Sequence, residues 1–255
     1  MPRMVTIRFC FLLIVFALSP TATSAEITRI ATASNFKPTL IRLLDSYASD
    51  SSSHFKISSG SSGVLYAQIR NGAPFDIFMS ADMQRPALLE EEGLIVPGSR
   101  MSYAVGRLAL WVPSATTQIN AEFLTDFQGI LAIANPDLAP YGVAAMSMLK
   151  TLNTNNGFKI VRGNNIAQSH QFVLTGNAQA GIVALSQMKH LKVASQQYWP
   201  VAEQLHGPIE QQLVVLKPTS QGLAFISFLN TSSAHSVLRS DGYSIAERLD
   251  KPHND

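Results

Sequence analysis

The sequence of 255 residues contains one cysteine, Cys10, in an N-terminal stretch that we predict is removed. Without Cys10, the remaining chain has no disulfide, no thiol nucleophile and no thiolate metal site. Its six histidines include no H-E-x-x-H spacing, so we expect no bound metal cation. We also expect no cofactor.

Neither sign of charge is in excess. The full chain has 19 Lys and Arg residues and 17 Asp and Glu residues, and loss of Arg3 and Arg8 with the N-terminal stretch makes the two counts equal. Nucleic-acid binding usually requires a basic face. We therefore expect no nucleic-acid partner.

The N-terminus has the pattern of an export signal. Arg3 and Arg8 precede an apolar stretch over residues 9–18, which is too short to span a bilayer. Pro20 interrupts the stretch, and small residues at 23–25 are typical of a cleavage site. We predict a signal peptide over residues 1–25, cleaved after Ala25; an uncleaved membrane anchor is the alternative.

The segment over residues 57–82 (ISSGSSGVLYAQIRNGAPFDIFMSAD) contains the clearest local signal. A run of serine and glycine at 58–63 leads directly into a predicted helix, which Gly72 ends. The first turn of a helix leaves backbone N–H groups without internal partners, and the helix dipole adds positive potential there. Such a loop can bind an anion without lysine, although a simple helix cap is the alternative.

The same arrangement recurs along the chain. Predicted strands alternate with predicted helices, which indicates an α/β fold with largely parallel sheets. Ligands of such folds bind at the carboxyl ends of the strands. Four loops occupy that position, namely Ser34-Asn35, Ser61-Ser62, Tyr141-Gly142 and residues 164–166. Because none of them supplies a carboxylate, they favour a fully deprotonated oxyanion.

Four blocks resemble the periplasmic molybdate-binding proteins of ABC transporters: ATASNF at 31–36, residues 58–82, APYG at 139–142 and AGIVALS at 180–186. The resemblance implies a two-lobed type II periplasmic-binding-protein fold, each lobe a mostly parallel sheet flanked by helices, with the ligand in the interlobe cleft. Lobe I would comprise residues 26–106 and 207–255, and lobe II residues 107–206. Molybdate or tungstate would be the ligand of a periplasmic monomer, and a membrane permease its partner.

The resemblance also implies a ligand seat. Its members would be Ser34 and Asn35 through side chain and backbone N–H, Ser62 through hydroxyl and N–H, Tyr141 and Ile166 through backbone N–H, with Ser61 as a neighbour. Some family members have a serine in place of Asn35, and some donate a tyrosine hydroxyl from the position of Ala184. Tyr141 is a candidate to replace that hydroxyl from across the cleft.

Three other functions are open on the sequence alone. A binder of another oxyanion, such as sulfate, phosphate or an organic acid, would have the same kind of loops. A hydrolase would use Ser61 or Ser62 as nucleophile, but the segment does not match the G-x-S-x-G elbow, so we do not expect an enzyme. A purely structural exported protein is the third.

Overall fold

The computed structural model describes residues 26–47, 54–154 and 157–245. The predicted signal peptide, which includes Cys10, lies outside these residues. Within them the chain forms two five-stranded sheets with helices packed against each. This is the two-lobed α/β fold that the sequence predicts.

The first sheet, in lobe I, combines N-terminal strands with one strand from the last part of the chain. Its strands are β1 (Thr28–Ala33), β2 (Phe55–Gly60), β3 (Ile77–Met79), β4 (Met101–Gly106) and β10 (Ile209–Val215). Their order across the sheet is β2-β1-β3-β10-β4. Strand β1 is parallel to β2 and β3, whereas β10 is antiparallel to β3 and β4.

The second sheet, in lobe II, is formed by the middle of the chain. Its strands are β5 (Leu108–Trp111), β6 (Ile130–Ala134), β7 (Lys159–Gly163), β8 (Ala180–Ala184) and β9 (Tyr198–Pro200). Their order is β7-β6-β8-β5-β9. Strand β6 is parallel to β7 and β8, whereas β5 is antiparallel to β8 and β9.

Both sheets are therefore mixed, and not mostly parallel as the resemblance implies. The reason is the route of the chain between the lobes. A strand–helix–strand crossover within one lobe keeps its strands parallel. Strand β5 instead arrives directly from β4 of lobe I, and β10 arrives from lobe II, so each enters its sheet antiparallel to a neighbour.

The chain leaves the first sheet after Gly106 and enters the second at Leu108. It leaves the second sheet after Pro200 and returns to the first at Ile209. These two places are where the chain crosses from one lobe to the other. The exact lobe boundaries, at residues 107 and 207, stay a prediction.

Helices cover both sheets. Those of lobe I are α1 (Lys37–Tyr47), α2 (Ser62–Arg70), α3 (Gln84–Glu91), α8 (Ser220–Phe228) and α9 (Ser232–Ser240); those of lobe II are α4 (Phe123–Asp126), α5 (Pro140–Thr151), α6 (Ile166–Leu174) and α7 (Leu185–His190). In α1 the apolar stripe of Leu40, Leu43 and Leu44 is buried, as its helical spacing predicts. Among the described helices, none has the length and apolar character to cross a membrane.

Four helices begin at the boundary between the lobes. Helices α1 and α2 begin just after β1 and β2 in lobe I, and α5 and α6 begin after β6 and β7 in lobe II. In each pair the two preceding strands are parallel neighbours. The N-termini of two helices therefore emerge side by side from each sheet, at the edge where the lobes meet.

Candidate functional site

The four helix N-termini surround one small cavity between the lobes. The space inside its lining, part of it open to solvent, is about 190 Å³. Its lining is formed by Ala33, Ser34, Asn35, Gly60, Ser61, Ser62, Ala81, Ala139, Pro140, Tyr141, Asn165 and Ile166. All six residues proposed from the sequence are among them. The structure thus brings together residues that are up to 132 positions apart, from Ser34 to Ile166.

On the lobe I side, helix α2 contributes two serines. Ser61 is the N-cap, and its Oγ accepts a hydrogen bond from the Val64 N–H at 3.3 Å. Ser62 is the first helical residue, and its Oγ accepts from the Ala81 N–H at 3.0 Å. Because each hydroxyl oxygen is held as an acceptor, its own hydrogen is available to donate.

Ser34 and Asn35 are more constrained than the sequence suggests. The Ser34 N–H donates to the Gly60 carbonyl at 2.9 Å, and the Ser34 hydroxyl donates to Asn165 Oδ1 of lobe II at 3.3 Å. The Asn35 side-chain Nδ2 donates into a buried network away from these contacts. The Asn35 backbone N–H is therefore left to face a ligand, and the Ser34 hydroxyl can donate to one only by releasing Asn165 Oδ1.

On the lobe II side, the contribution is backbone. Helix α5 begins with Pro140 after Ala139, which offers no side-chain oxygen as a cap, so the Tyr141 N–H near the helix start has no capping partner. Helix α6 begins with Ile166 after Asn165, whose Oδ1 caps the Gln168 N–H at 3.0 Å. The Ile166 side chain is buried in the lobe core, and its backbone N–H donates to no atom of the described residues.

The backbone N–H groups at this cavity that donate to no atom of residues 26–47, 54–154 and 157–245 include those of Asn35, Ser62, Tyr141 and Ile166. Two come from each lobe. Buried N–H groups are almost always paired in folded proteins, so this cluster of donors indicates a bound acceptor.

The cavity has no charged side chain in its described lining. The positive ends of four helix dipoles meet there, so the potential favours a negative ligand held by neutral donors. That lining also has no carboxylate to accept the hydrogen of a protonated anion. In the described part of the chain, no group of three or more His, Cys, Asp or Glu could hold a metal ion.

The sequence did not indicate a buried polar network behind the cavity. Asn35 Nδ2 lies 3.0 Å from Gln211 Oε1, 3.1 Å from the Tyr243 hydroxyl and 3.4 Å from the Tyr141 hydroxyl. The Tyr243 hydroxyl in turn lies 3.0 Å from the Asn35 carbonyl oxygen and 3.1 Å from Ser186 Oγ of lobe II. The run of three polar residues at 210–212, within a strand that is otherwise apolar, is the only sequence signal of this network.

The tyrosines of this network remain neutral hydroxyls. Burial raises the pKa of Tyr141 well above its usual range, and the nearby Tyr243 and Tyr103 act in the same direction. Burial likewise raises the pKa of Tyr243 to about 12. The Tyr141 hydroxyl is therefore a hydrogen-bonding group at the back of the cavity, on the side of Asn35, while Ala184 contributes no polar side-chain atom.

The lobes are in contact around the cavity. Besides the Ser34–Asn165 bond, the Gly63 N–H donates to the Leu138 carbonyl across the cleft at 2.9 Å. Further out, His190 Nε2 of α7 lies 3.1 Å from Asp241 Oδ2 and 3.1 Å from Thr39 Oγ1 of lobe I. The structure therefore has the closed arrangement of the two lobes.

A wider groove lies beside the cavity and shares Ala81 and Pro140 with it. Its charged side chains include the ion pair of Asp82 and Arg85. Because the unpartnered N–H groups converge on the small cavity, the cavity is the stronger candidate site although the groove is larger.

Comparison with known proteins agrees with this geometry. A family model described as a bacterial extracellular solute-binding protein matches residues 28–244. The molybdate-binding protein ModA of Azotobacter vinelandii is 39% identical over 236 residues, which cover 89% of this chain and 93% of that protein. The molybdate-binding protein ModA of Rhodobacter capsulatus is 41% identical over 191 residues, covering 72% and 75% respectively.

A solved structure gives the same result. The periplasmic molybdate-binding protein of Azotobacter vinelandii matches with a TM-score of 0.78 and 32% identity, over 86% of this chain and 100% of that one. The resemblance noted in the sequence is thereby confirmed. These relatives are binding proteins by name, in agreement with the expectation that the chain is not an enzyme.

Proposed function

The chain belongs to the bacterial extracellular solute-binding proteins, and we propose that it captures molybdate, and tungstate as well, between its two lobes for delivery to an ABC permease. The observation that carries this proposal is the convergence of four unpartnered backbone N–H groups, two from each lobe, on one uncharged cavity. The names of the relatives supply the identity of the anion.

The donor set fits a fully deprotonated tetrahedral dianion. The N–H groups of Asn35, Ser62, Tyr141 and Ile166 and the Ser62 hydroxyl give five donors, and the Ser34 hydroxyl gives a sixth when it turns from Asn165 Oδ1 to the anion; Ser61 is a neighbour that can add another. Hydrogen bonds to a charged group contribute roughly 1.5–3 kcal/mol each, or on the order of 10–20 kcal/mol for six. Association costs of about 4–15 kcal/mol oppose this, so the balance allows micromolar or tighter binding.

Binding and closure are coupled in this proposal. The anion accepts hydrogen bonds from lobe I and lobe II at once, which is possible only when the lobes are together. A ligand shifts a conformational equilibrium by its differential affinity for the two states. The anion would therefore stabilise the closed form, and a membrane permease would recognise that form. We propose that the protein acts as a periplasmic monomer, without a cofactor.

Isothermal titration calorimetry on the chain from Glu26 tests the proposal. Molybdate and tungstate should bind tightly and similarly, because they are nearly equal in size and charge. Sulfate, which is smaller, should bind weakly, and phosphate should bind weakly because at neutral pH it carries a proton for which the lining offers no carboxylate acceptor. Sulfate affinity comparable to that of molybdate would instead favour the alternative, a binder of another oxyanion.

A further inference from the structure

Gln211 is a fully buried amide in a lobe I strand that follows the crossing of the chain from lobe II. It lies in β10, where the pairing with β4 shifts register between Gln211 and Gln212, and its exposed fraction is 0%. A buried amide is costly unless its polar atoms are hydrogen-bonded. The position of this side chain therefore depends on its partners.

Those partners belong to both halves of the cavity. Gln211 Oε1 accepts from Asn35 Nδ2 of lobe I at 3.0 Å, and Gln211 Nε2 donates to the Tyr141 hydroxyl of lobe II at 3.4 Å. The Tyr103 hydroxyl also lies 3.0 Å from Gln211 Oε1. Gln211 is absent from the cavity lining, whereas Asn35 and Tyr141 are part of it.

The amide of Asn35 is held by this arrangement. Its Nδ2 carries two hydrogens, and the nearest acceptors are Gln211 Oε1 at 3.0 Å and the Tyr243 hydroxyl at 3.1 Å. The Tyr243 hydroxyl also donates to the Asn35 carbonyl oxygen. The side chain and the carbonyl of Asn35 are thus both held, and its backbone N–H donates to no atom of the described residues.

Neighbouring residues also pack closely around the Gln211 side chain. Gly106, at the end of β4, packs where a Cβ atom would overlap the Tyr141 hydroxyl and lie 2.7 Å from Gln211 Nε2. A glycine at the crossing point thus makes room for the contact between Gln211 and Tyr141. That contact forms only when lobe II lies against lobe I.

We propose that Gln211 is a positioning residue of the oxyanion site. Through its side-chain amide it holds Asn35 of lobe I and Tyr141 of lobe II at a fixed separation across the closed cleft. It does not touch the anion. By fixing donors of both lobes at one spacing, it favours the larger tetrahedral dianion over the smaller sulfate. This inference rests on the proposed function and assigns part of its selectivity to a residue outside the cavity.

The test compares Gln211→Met with Gln212→Met. Gln212 is the next residue in the same strand and is also buried, but its amide bonds to Ser102 and Arg100 and not to the cavity residues. Calorimetric titration of each variant with molybdate and with sulfate gives the affinity for each anion and the ratio of the molybdate affinity to the sulfate affinity. Gln211→Met should weaken molybdate binding about tenfold or more and lower the molybdate-to-sulfate affinity ratio. Gln212→Met should leave the molybdate affinity and this ratio within about twofold of those of the unaltered protein.

A double-mutant cycle with Tyr141→Phe separates positioning from a general effect on stability. Tyr141→Phe removes the hydroxyl that Gln211 contacts and keeps the backbone N–H. If Gln211 acts through this contact, the double variant should lose clearly less affinity than the product of the two single losses. Independent, multiplying losses would overturn the inference.

The outcomes distinguish the two proposals. If the unaltered protein binds neither molybdate nor tungstate, the proposed function fails. If it binds them and Gln211→Met keeps both the affinity and the ratio, only the inference about Gln211 fails. If Gln211→Met does not fold, Tyr141→Phe decides, because an unchanged molybdate-to-sulfate ratio in that variant overturns the positioning role.

Discussion

The two lobes contribute to the cavity in different ways. Lobe I presents side chains and backbone together, through the hydroxyls of Ser34 and Ser62 and the N–H groups of Asn35 and Ser62. Lobe II presents backbone N–H groups at the starts of α5 and α6, from Tyr141 and Ile166. The lobe I half of the site thus depends on the identity of its side chains, whereas the lobe II half depends on where its helices begin.

This difference determines which substitutions can remove a donor. In lobe I, a serine hydroxyl is deleted by alanine. In lobe II, alanine leaves the N–H in place, and only proline removes it. A scan with alanine alone would therefore detect the contribution of lobe I and miss that of lobe II.

The largest effect is expected from Ile166→Pro, measured against Ile166→Ala. Ile166 is the first residue of α6, where proline is compatible with the helix. Both variants lose most of the buried side chain, but only proline loses the N–H. Calorimetry should show molybdate binding weaker in Ile166→Pro than in Ile166→Ala by about 1.5–3 kcal/mol. Equal affinities would remove the Ile166 amide from the site.

Ser62→Ala should have a somewhat smaller effect. The substitution deletes the hydroxyl but keeps the N–H at the start of α2, so one of two donors remains. We expect molybdate binding to weaken by about 1–3 kcal/mol with the fold intact. Ser61→Ala is the matched control, because Ser61 is the N-cap and its loss should lower the unfolding temperature more than the affinity. If Ser62→Ala bound as tightly as the unaltered protein, the Ser62 hydroxyl would not be a ligand.

The smallest effect concerns the outer contact between the lobes. Burial, together with the charge of Arg42, lowers the pKa of His190 from its ordinary value of 6.5. Arg42 and Thr39 of α1 and Asp241 after α9 face this histidine from lobe I. The open form, with His190 free of these neighbours, takes up a proton first as the pH falls below 6.5. Acid should therefore disfavour closure and weaken binding.

His190→Gln tests this dependence. Glutamine keeps a neutral donor at all pH values, so the affinity of the variant should change less between about pH 7.5 and 5.5 than that of the unaltered protein. His170→Gln is the control. Burial lowers the pKa of His170 too, but this residue stacks on Trp111 inside lobe II, and its loss should alter only the pH dependence of unfolding. Identical affinity profiles for His190→Gln and the unaltered protein would contradict the role of this contact.

The contrast between the lobes also explains what the sequence could predict. The four loops were located because ligand sites of α/β folds lie at the carboxyl ends of strands, a rule that requires only the order of strands and helices. It therefore located the loops that contain Tyr141 and Ile166 as well as those that contain the serines. The individual ligand-binding residues follow from the family resemblance, through the motifs around Asn35 and Ser62.

The parts that escaped prediction depend on distant contacts. Gln211 and Tyr243 meet Asn35 from 176 and 208 positions away, and no local pattern specifies such a meeting. Strand β9, with three residues, and helix α7, with six, are too short to show a clear period. The antiparallel strands of the mixed sheets follow from the path of the chain between lobes, which local patterns do not contain.

The uncharged lining of the cavity has a consequence for the protein as a whole. With the first 25 residues removed, basic and acidic residues are equal in number, and the described lining holds no cation that would cancel the charge of the anion. If the protein captures a dianion as proposed, the complex carries two more negative charges than the empty protein. Empty and filled molecules would then differ in electrophoretic mobility and isoelectric point as well as in shape.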